Sequence, residues 1–205
     1  MSTDIHSLET PCVLVDFDIA EANIARFQAY CDKHGITSRP HIKTHKLPIM
    51  AERQAAAGGV GITCQKVSEA EVMADGGIQN IFISYNILGD EKVAKLRALS
   101  ERCTISVVAD NGVVVRGLSK GFADAAKPLD VLIECDTGAA RCGVQNADEA
   151  LALARLIDEL PGLRFGGLMT YPPTVKAEFQ HVANTRLSEI KKRIEAEGLS
   201  CERIS

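Results

Sequence analysis

The eight residues Arg39-Pro40-His41-Ile42-Lys43-Thr44-His45-Lys46 carry five basic or imidazole side chains in an otherwise mildly acidic chain. A strand begun after Pro40 would alternate its side chains, with His41, Lys43 and His45 on one face and Ile42 and Thr44 on the other. Lys43 would then stand between two imidazoles, with Arg39 and Lys46 nearby. Like charges favour the neutral amine, the form that attacks carbonyls. The chemistry this suggests is a Schiff base between Lys43 and an aldehyde. The competing reading is a basic surface turn, and charge alone leans that way because charged clusters are usually solvated.

Other chemistry-bearing residues fall after apolar runs of strand type. Cys64-Gln65-Lys66 follows one run, Ser84-Tyr85-Asn86 the next, and Asp110-Asn111 another. Asp136 to Gly143 follows Val131-Leu132-Ile133, and Tyr171-Pro172-Pro173 follows Arg164 to Thr170. Glu134 and Asp136 have the parity opposite to Val131, Ile133 and Cys135, so they can face an interior while the apolar set faces helices. Asp136 could equally cap a turn. Arg141 could equally pair with a nearby carboxylate, and Tyr171 before two prolines could simply anchor a loop. A serine-nucleophile elbow is missing. The five histidines include no His-Glu-x-x-His pair, and His41 and His45 are four apart on a strand rather than a helix, so no metal site is expected among these residues.

The elements that must position these groups alternate. Helices are expected over 49–57, 67–74, 91–101, 112–126, 147–160 and 176–197, and strands over 39–44, 60–64, 80–84, 104–109, 129–135, 164–170 and 201–205. An earlier helix holds Ile24, Phe27 and Cys31, with Asp18 and Glu21 at capping-box spacing, and Cys12 to Val15 reads as a short strand. Strand–helix repetition at roughly 20–35 residues per unit argues an α/β fold with a parallel sheet. No strand leads into a dinucleotide fingerprint. The choice is an open sheet or an incomplete (β/α)8 barrel, with six complete units and the start of a seventh, since a full barrel takes about 250 residues. In either architecture ligands gather at the carboxyl ends of the strands, where the residues named above fall.

Composition narrows the function classes. The chain has 205 residues, 46% hydrophobic and 24% charged, which suits one domain with a core. Its net charge of −4 gives no sign of a nucleic-acid partner. No apolar run approaches membrane-spanning length, and residues 1–9 lack the core of a secretory signal. Seven cysteines without a Cys-x-x-Cys pair indicate neither zinc nor disulfides, and fit small buried hydrophobes in a reducing cytoplasm.

Three segments together resemble the D-threonine aldolase and D-serine dehydratase group, pyridoxal-phosphate enzymes of the alanine racemase fold type. They are Arg39 to Lys46, Cys64-Gln65-Lys66-Val67-Ser68-Glu69-Ala70-Glu71, and Asp136 to Gly143, with Gly167 to Tyr171 a weaker fourth. The resemblance implies that Lys43 carries pyridoxal 5'-phosphate and that Arg141 lies near its phenolic oxygen. His41, Gln65 and Tyr171 would complete the cofactor site. It implies a (β/α)8 TIM barrel of which residues 1–205 hold six to seven units. The glycine-rich phosphate loop, a C-terminal β domain and any divalent-metal ligands would fall beyond Ser205. The implied partners are a β-hydroxy D-amino acid and a second copy of the chain. One departure stands out: the aldolases have a glycine and a downstream histidine after the tyrosine, where this chain has Pro172-Pro173 and Ala177, with His181 one turn on. The alternatives are a D-serine dehydratase-like lyase, an amino-acid racemase, a cofactor carrier without catalysis, or an inactive fragment that binds the cofactor weakly.

Overall fold

The structure, a computed structural model, describes residues 4–173 and 177–205. Helix α1 (Phe17–Lys33) is followed by α2 (Pro48–Ala56), after which strands and helices alternate strictly. The order is β1 (Ile62–Cys64), α3 (Val67–Asp75), β2 (Asn80–Ile83), α4 (Asp90–Ser100), β3 (Thr104–Ala109), α5 (Gly112–Phe122), β4 (Leu129–Cys135), α6 (Ala147–Glu159), β5 (Leu163–Thr170), α7 (Ala177–Glu195) and β6 (Arg203–Ile204). The six strands lie side by side in chain order, all parallel, and curl into part of a barrel. The open-sheet alternative is thereby set aside in favour of an incomplete (β/α)8 barrel.

Strand parity divides the core into two clusters. The outer residues Ile62, Cys64, Ile81, Ile83, Val107, Val131, Ile133 and Leu168 pack with the helices in one large cluster. The inner residues Phe82, Val108, Leu132 and Met169 form a separate apolar plug. Two-sided burial explains why these strands read as near-continuous apolar runs. Glu134, 2% exposed, lies on the inner side, as its parity indicated.

Parity switches once. Val131 pairs with Phe165, but Leu132 pairs with Gly167, so β5 bulges at Gly166. The extra residue flips the rest of β5, sending Met169 and Tyr171 inward. Gly167 has φ +129°, and a Cβ there would collide with the Arg203 carbonyl of β6, so only glycine lets β6 approach.

Four expectations are corrected. Residues 39–44 are not a strand: a single parallel bridge joins His41 to Thr63, and Ile42–Thr44 then form a 3-10 turn. The turn wins because the Lys43 amide finds its acceptor in the His41 ring rather than in a neighbouring strand. Cys12 to Val15 is not a strand either; among the described residues no strand lies beside it, and Val13 is 93% exposed. Helix α1 is capped by Asp16, whose carboxylate accepts the Ile19 amide at 3.1 Å, and not by Asp18. Helix α5 ends at Phe122 rather than at 126. The expected start of the last long helix at Lys176 lies outside the described residues. Among those residues no helix is long and apolar enough to cross a membrane. Five cysteines are buried, while Cys12 is exposed and Cys142 half-buried.

Candidate active site

At the carboxyl ends of the strands a cleft of about 180 Å³ is lined by His41, Lys43, Gln65, Arg141 and Tyr171, the five residues singled out from the sequence. They come from four separate stretches: the turn after the His41 bridge, the end of β1, the loop after β4, and the end of β5. Phe82 and Met169 of the apolar plug form the floor, and Thr63, Ser84, Tyr85 and Ser205 complete the wall. The Tyr171 ring joins the two cations: Lys43 Nζ stands 5.0 Å from its centroid and the Arg141 guanidinium 4.4 Å. Each such contact is worth about 0.5–1 kcal/mol where water reaches the pair.

The expected crowding of Lys43 by its four basic and imidazole neighbours is not what the structure holds. Lys46 pairs with Glu69 at 3.1 Å. Arg39 donates to Asn80 Oδ1 at 3.0 Å. His45 turns toward Gln54 of α2 and is absent from the cleft. A turn does not share faces as a strand does, so the alternation that would have aligned His45 with Lys43 fails. His41 remains beside Lys43, and its ring is held below the usual histidine range, first by burial and then by the Lys43 charge, with Glu69 pulling the other way.

Arg141 is placed by two aspartates and a glutamate. Asp136 Oδ1 accepts the amides of Gly138 at 2.8 Å and Ala140 at 3.2 Å, and Gln145 Nε2 reaches Oδ2 at 3.4 Å. Burial alone would push this carboxyl up, but those donors outweigh it and leave it below the ordinary range. Asp136 is therefore a loop organiser, the turn-capping alternative of the sequence reading. Asp110 Oδ2 accepts the Gly143 amide at 3.1 Å, while its Oδ1 accepts Asn86 Nδ2 at 2.8 Å, which ties together the loops after β2, β3 and β4. Gly143 sits at φ +109°, where a Cβ would lie 2.5 Å from the Asp136 nitrogen. Glu134 Oε1 accepts from Cys142 Sγ at 2.9 Å and from Arg141 Nη2 at 3.4 Å. The guanidinium is thus salt-bridged, as the competing reading of Arg141 had it, and also exposed to the cleft.

Glu69 went unrecognised as a site residue. It is 8% exposed, accepts the Gln65 amide at 3.0 Å with Oε2, and binds Lys46 through Oε1. It therefore staples the Lys43 segment to the end of β1. The signal was faint because Lys66 occupies the N-cap, where a serine or threonine would have announced a capping box.

An amine, an aromatic wall, a cation and an apolar floor form a donor set that fits an aromatic aldehyde cofactor such as pyridoxal phosphate. Lys43 would hold the aldehyde carbon and Arg141 an anionic ring oxygen. Among the described residues there is no cluster of three histidine, cysteine or acidic side chains that could hold a metal.

The model of the alanine racemase N-terminal domain matches residues 15–205. A D-threonine aldolase of Arthrobacter sp is 37% identical over 97% of this chain and 54% of its own length. A D-threo-3-hydroxyaspartate dehydratase of Delftia sp. is 31% identical over 83% of this chain and 45% of its own. The crystal structure of D-threonine aldolase from Filomicrobium marinum superposes with a TM-score of 0.89 at 35% identity, covering 98% of this chain and 56% of that one. The chain spans about half the length of the curated relatives it matches.

Proposed function

Since the chain belongs to the alanine racemase N-terminal domain family, we propose that residues 1–205 form the cofactor-bearing barrel domain of a pyridoxal-phosphate-dependent lyase. Its substrates in this reading are β-hydroxy D-amino acids, and its reaction is D-threonine aldolase-like carbon–carbon cleavage. One observation carries the reading: Lys43 and Arg141, far apart in sequence, meet at the Tyr171 ring inside one cleft. When bound, the cofactor supplies an electron sink for the pair released at the substrate Cα.

The chain's own residues do the rest. Lys43 would hold the cofactor's aldehyde through its side-chain amine. Arg141, fixed from behind by Glu134, favours the ionised form of a phenolic oxygen set against it. Tyr171 covers one side of the ring, Phe82 and Met169 exclude water from below, and His41 and Gln65 line the wall. A dehydratase needs a base for the Cα proton, and the Lys43 amine would be the candidate. An aldolase needs a base for the β-hydroxyl instead. The Delftia relative keeps the dehydratase reading in play, and Pro172-Pro173 after Tyr171 departs from the aldolase pattern. The implied assembly is a homodimer.

The test is purified protein with pyridoxal phosphate, reduced by borohydride and mapped by peptide mass. The expected adduct lies on Lys43; an adduct spread over surface lysines refutes the site. Incubation with D-threonine and D-serine then separates the chemistries. Glycine plus an aldehyde marks the aldolase, and a 2-oxo acid plus ammonia marks the dehydratase. Stoichiometric cofactor without turnover marks a carrier.

A further inference from the structure

The Lys43 segment contains the same local device twice. His41 Nδ1 accepts the backbone N–H of Lys43 at 3.2 Å, and His45 Nδ1 accepts the backbone N–H of Leu47 at 3.0 Å. Each ring serves the amide two residues on, as an asparagine side chain does in an Asx turn. His41 is the N-cap of the Ile42–Thr44 turn. His45 serves Leu47, the N-cap residue of α2, which has no side-chain cap of its own. Around these caps the stretch is anchored by the buried Ile42 side chain and by the Lys46–Glu69 pair. Past the His41–Thr63 bridge its backbone bonds are local, from the amides of His45 and Lys46 to the Ile42 carbonyl.

A ring nitrogen that accepts a hydrogen bond carries no proton, so each neutral ring must bear its proton on Nε2. The surroundings agree. His41 Nε2 lies 3.4 Å from Ser84 Oγ, and that hydroxyl donates onward to the Cys64 carbonyl at 3.5 Å. His45 Nε2 is buried beside Gln54, and neither that nitrogen nor the buried Gln54 Oε1 has a hydrogen-bond partner among the described residues.

We infer that His41 and His45 are positioning residues for Lys43, paired imidazole caps that hold its turn only while both rings are neutral with the proton on Nε2. Protonating Nδ1 would set a donor against a backbone N–H and open the turn. The charged and titratable groups facing His41 are Lys43 on its own turn, Glu69 from α3, and Tyr85, Arg141 and Tyr171 across the cleft. His45 has Lys46 beside it and the uncharged Gln54 of α2 packed against it. Burial is the leading influence on both rings and holds both below the usual value of about 6.5. With both values depressed, the caps are intact above about pH 6.5 and are lost as pH falls through the lower folded values.

The functional weight of this inference rests on Lys43 being the cofactor amine, but the caps can be tested on the cofactor-free protein. Nitrogen NMR of the imidazole rings at neutral pH should show Nδ1 bare and Nε2 protonated in both. Amide exchange of Lys43 and Leu47, corrected for its intrinsic pH dependence, should speed up about five- to tenfold as the rings titrate, the loss of one cap each. His41→Leu should remove the Lys43 protection at every pH. His41→Asn should keep it and make it independent of pH, and His45→Asn should do the same for Leu47. With pyridoxal phosphate added, His45→Asn should retain the cofactor to lower pH than the natural chain does. A proton on Nδ1 at neutral pH, or Lys43 protection unchanged in His41→Leu, overturns the capping. Caps that titrate as described in a protein that never takes up the cofactor refute the proposed function while leaving the caps standing.

Discussion

Replacing Glu134 with glutamine tests whether the position of Arg141 is set from behind. The carboxylate is 2% exposed, while the arginine side chain it holds is 45% exposed. Breaking a fully buried ion pair costs about 3–5 kcal/mol, because the surviving charge is stranded. Here water reaches the surviving guanidinium, so the expected loss of stability is only about 1–2 kcal/mol. Glutamine keeps the volume and one acceptor for the Cys142 thiol but cannot hold the cation by charge. Arg141 is then left with Cys142 Sγ at 3.4 Å and the Tyr171 ring as partners. A wandering guanidinium should weaken pyridoxal-phosphate binding about tenfold, which corresponds to about 1.4 kcal/mol. The assays are a spectroscopic cofactor titration and urea unfolding of the same preparations. Affinity within twofold of the natural chain, alongside reduced stability, would show that Glu134 supports the loop but not the site. No change in either would show that the pair is not formed.

Lys43→Ala should leave unfolding within about 0.5 kcal/mol of the natural chain, since the side chain is exposed, and should abolish the borohydride-fixed adduct; a stoichiometric adduct persisting in this variant counts against the site. Gly143→Ala should cost about 2–3 kcal/mol, since it combines left-handed backbone with a collision at the Asp136 nitrogen, and should weaken cofactor binding by shifting Arg141; unchanged melting would contradict the loop geometry. Glu69 is pushed up by burial, but the Gln65 amide and Lys46 outweigh that and leave it below the ordinary carboxylate value. Its contribution is therefore present above about pH 4.3 and lost as pH falls through its folded value. Urea midpoints of Glu69→Gln and the natural chain should differ near neutrality and converge in acid; a constant gap would show that the charge is not what matters.

Most of the scaffold could be read from periodicity, because strands buried on both sides are continuous apolar runs and the helices between them are amphipathic. The bounds of β3 and β4 agree with expectation to the residue. The failures occur where side chains take over backbone hydrogen bonding. At residues 39–46 the two imidazoles act as caps, and nothing in a one-dimensional pattern distinguishes a capping histidine from one on a strand face. At β5, counting alternate residues from Arg164 would face Leu168 and Thr170 inward and Tyr171 outward. The bulge at Gly166 reverses this, and paired glycines mark only that a bulge is allowed, not that it occurs. Arg141 and Tyr171 nonetheless stood out because they follow apolar runs, whose carboxyl ends a parallel sheet gathers at one end, and Lys43 stood out by the basic and imidazole residues around it; one cleft brings the three together.

The inner face of β4 shows how the barrel isolates that end. Asp130, Leu132 and Glu134 follow one another on it at alternate positions. Asp130 is clasped by Arg164 through two bonds of 2.7 Å and approached by Arg203 at 3.5 Å, which closes a charged layer at the amino ends of β4 to β6. Leu132 belongs to the four-residue plug. Above it Glu134 holds Arg141 at the cleft. Two ionic layers are thus separated by one apolar layer, and each carboxylate is matched within its own layer; the match matters most for Glu134, which is buried, whereas water reaches the Asp130 layer. Polar groups on the plug would let water connect the layers and weaken the field at Arg141. Leu132→Asn should therefore weaken cofactor binding as well as stability, whereas Ile133→Val on the helix-facing side should cost only about 0.5–1.5 kcal/mol of stability. Equal losses of affinity in the two variants, once corrected for the folded fraction, would refute the insulating role of the plug.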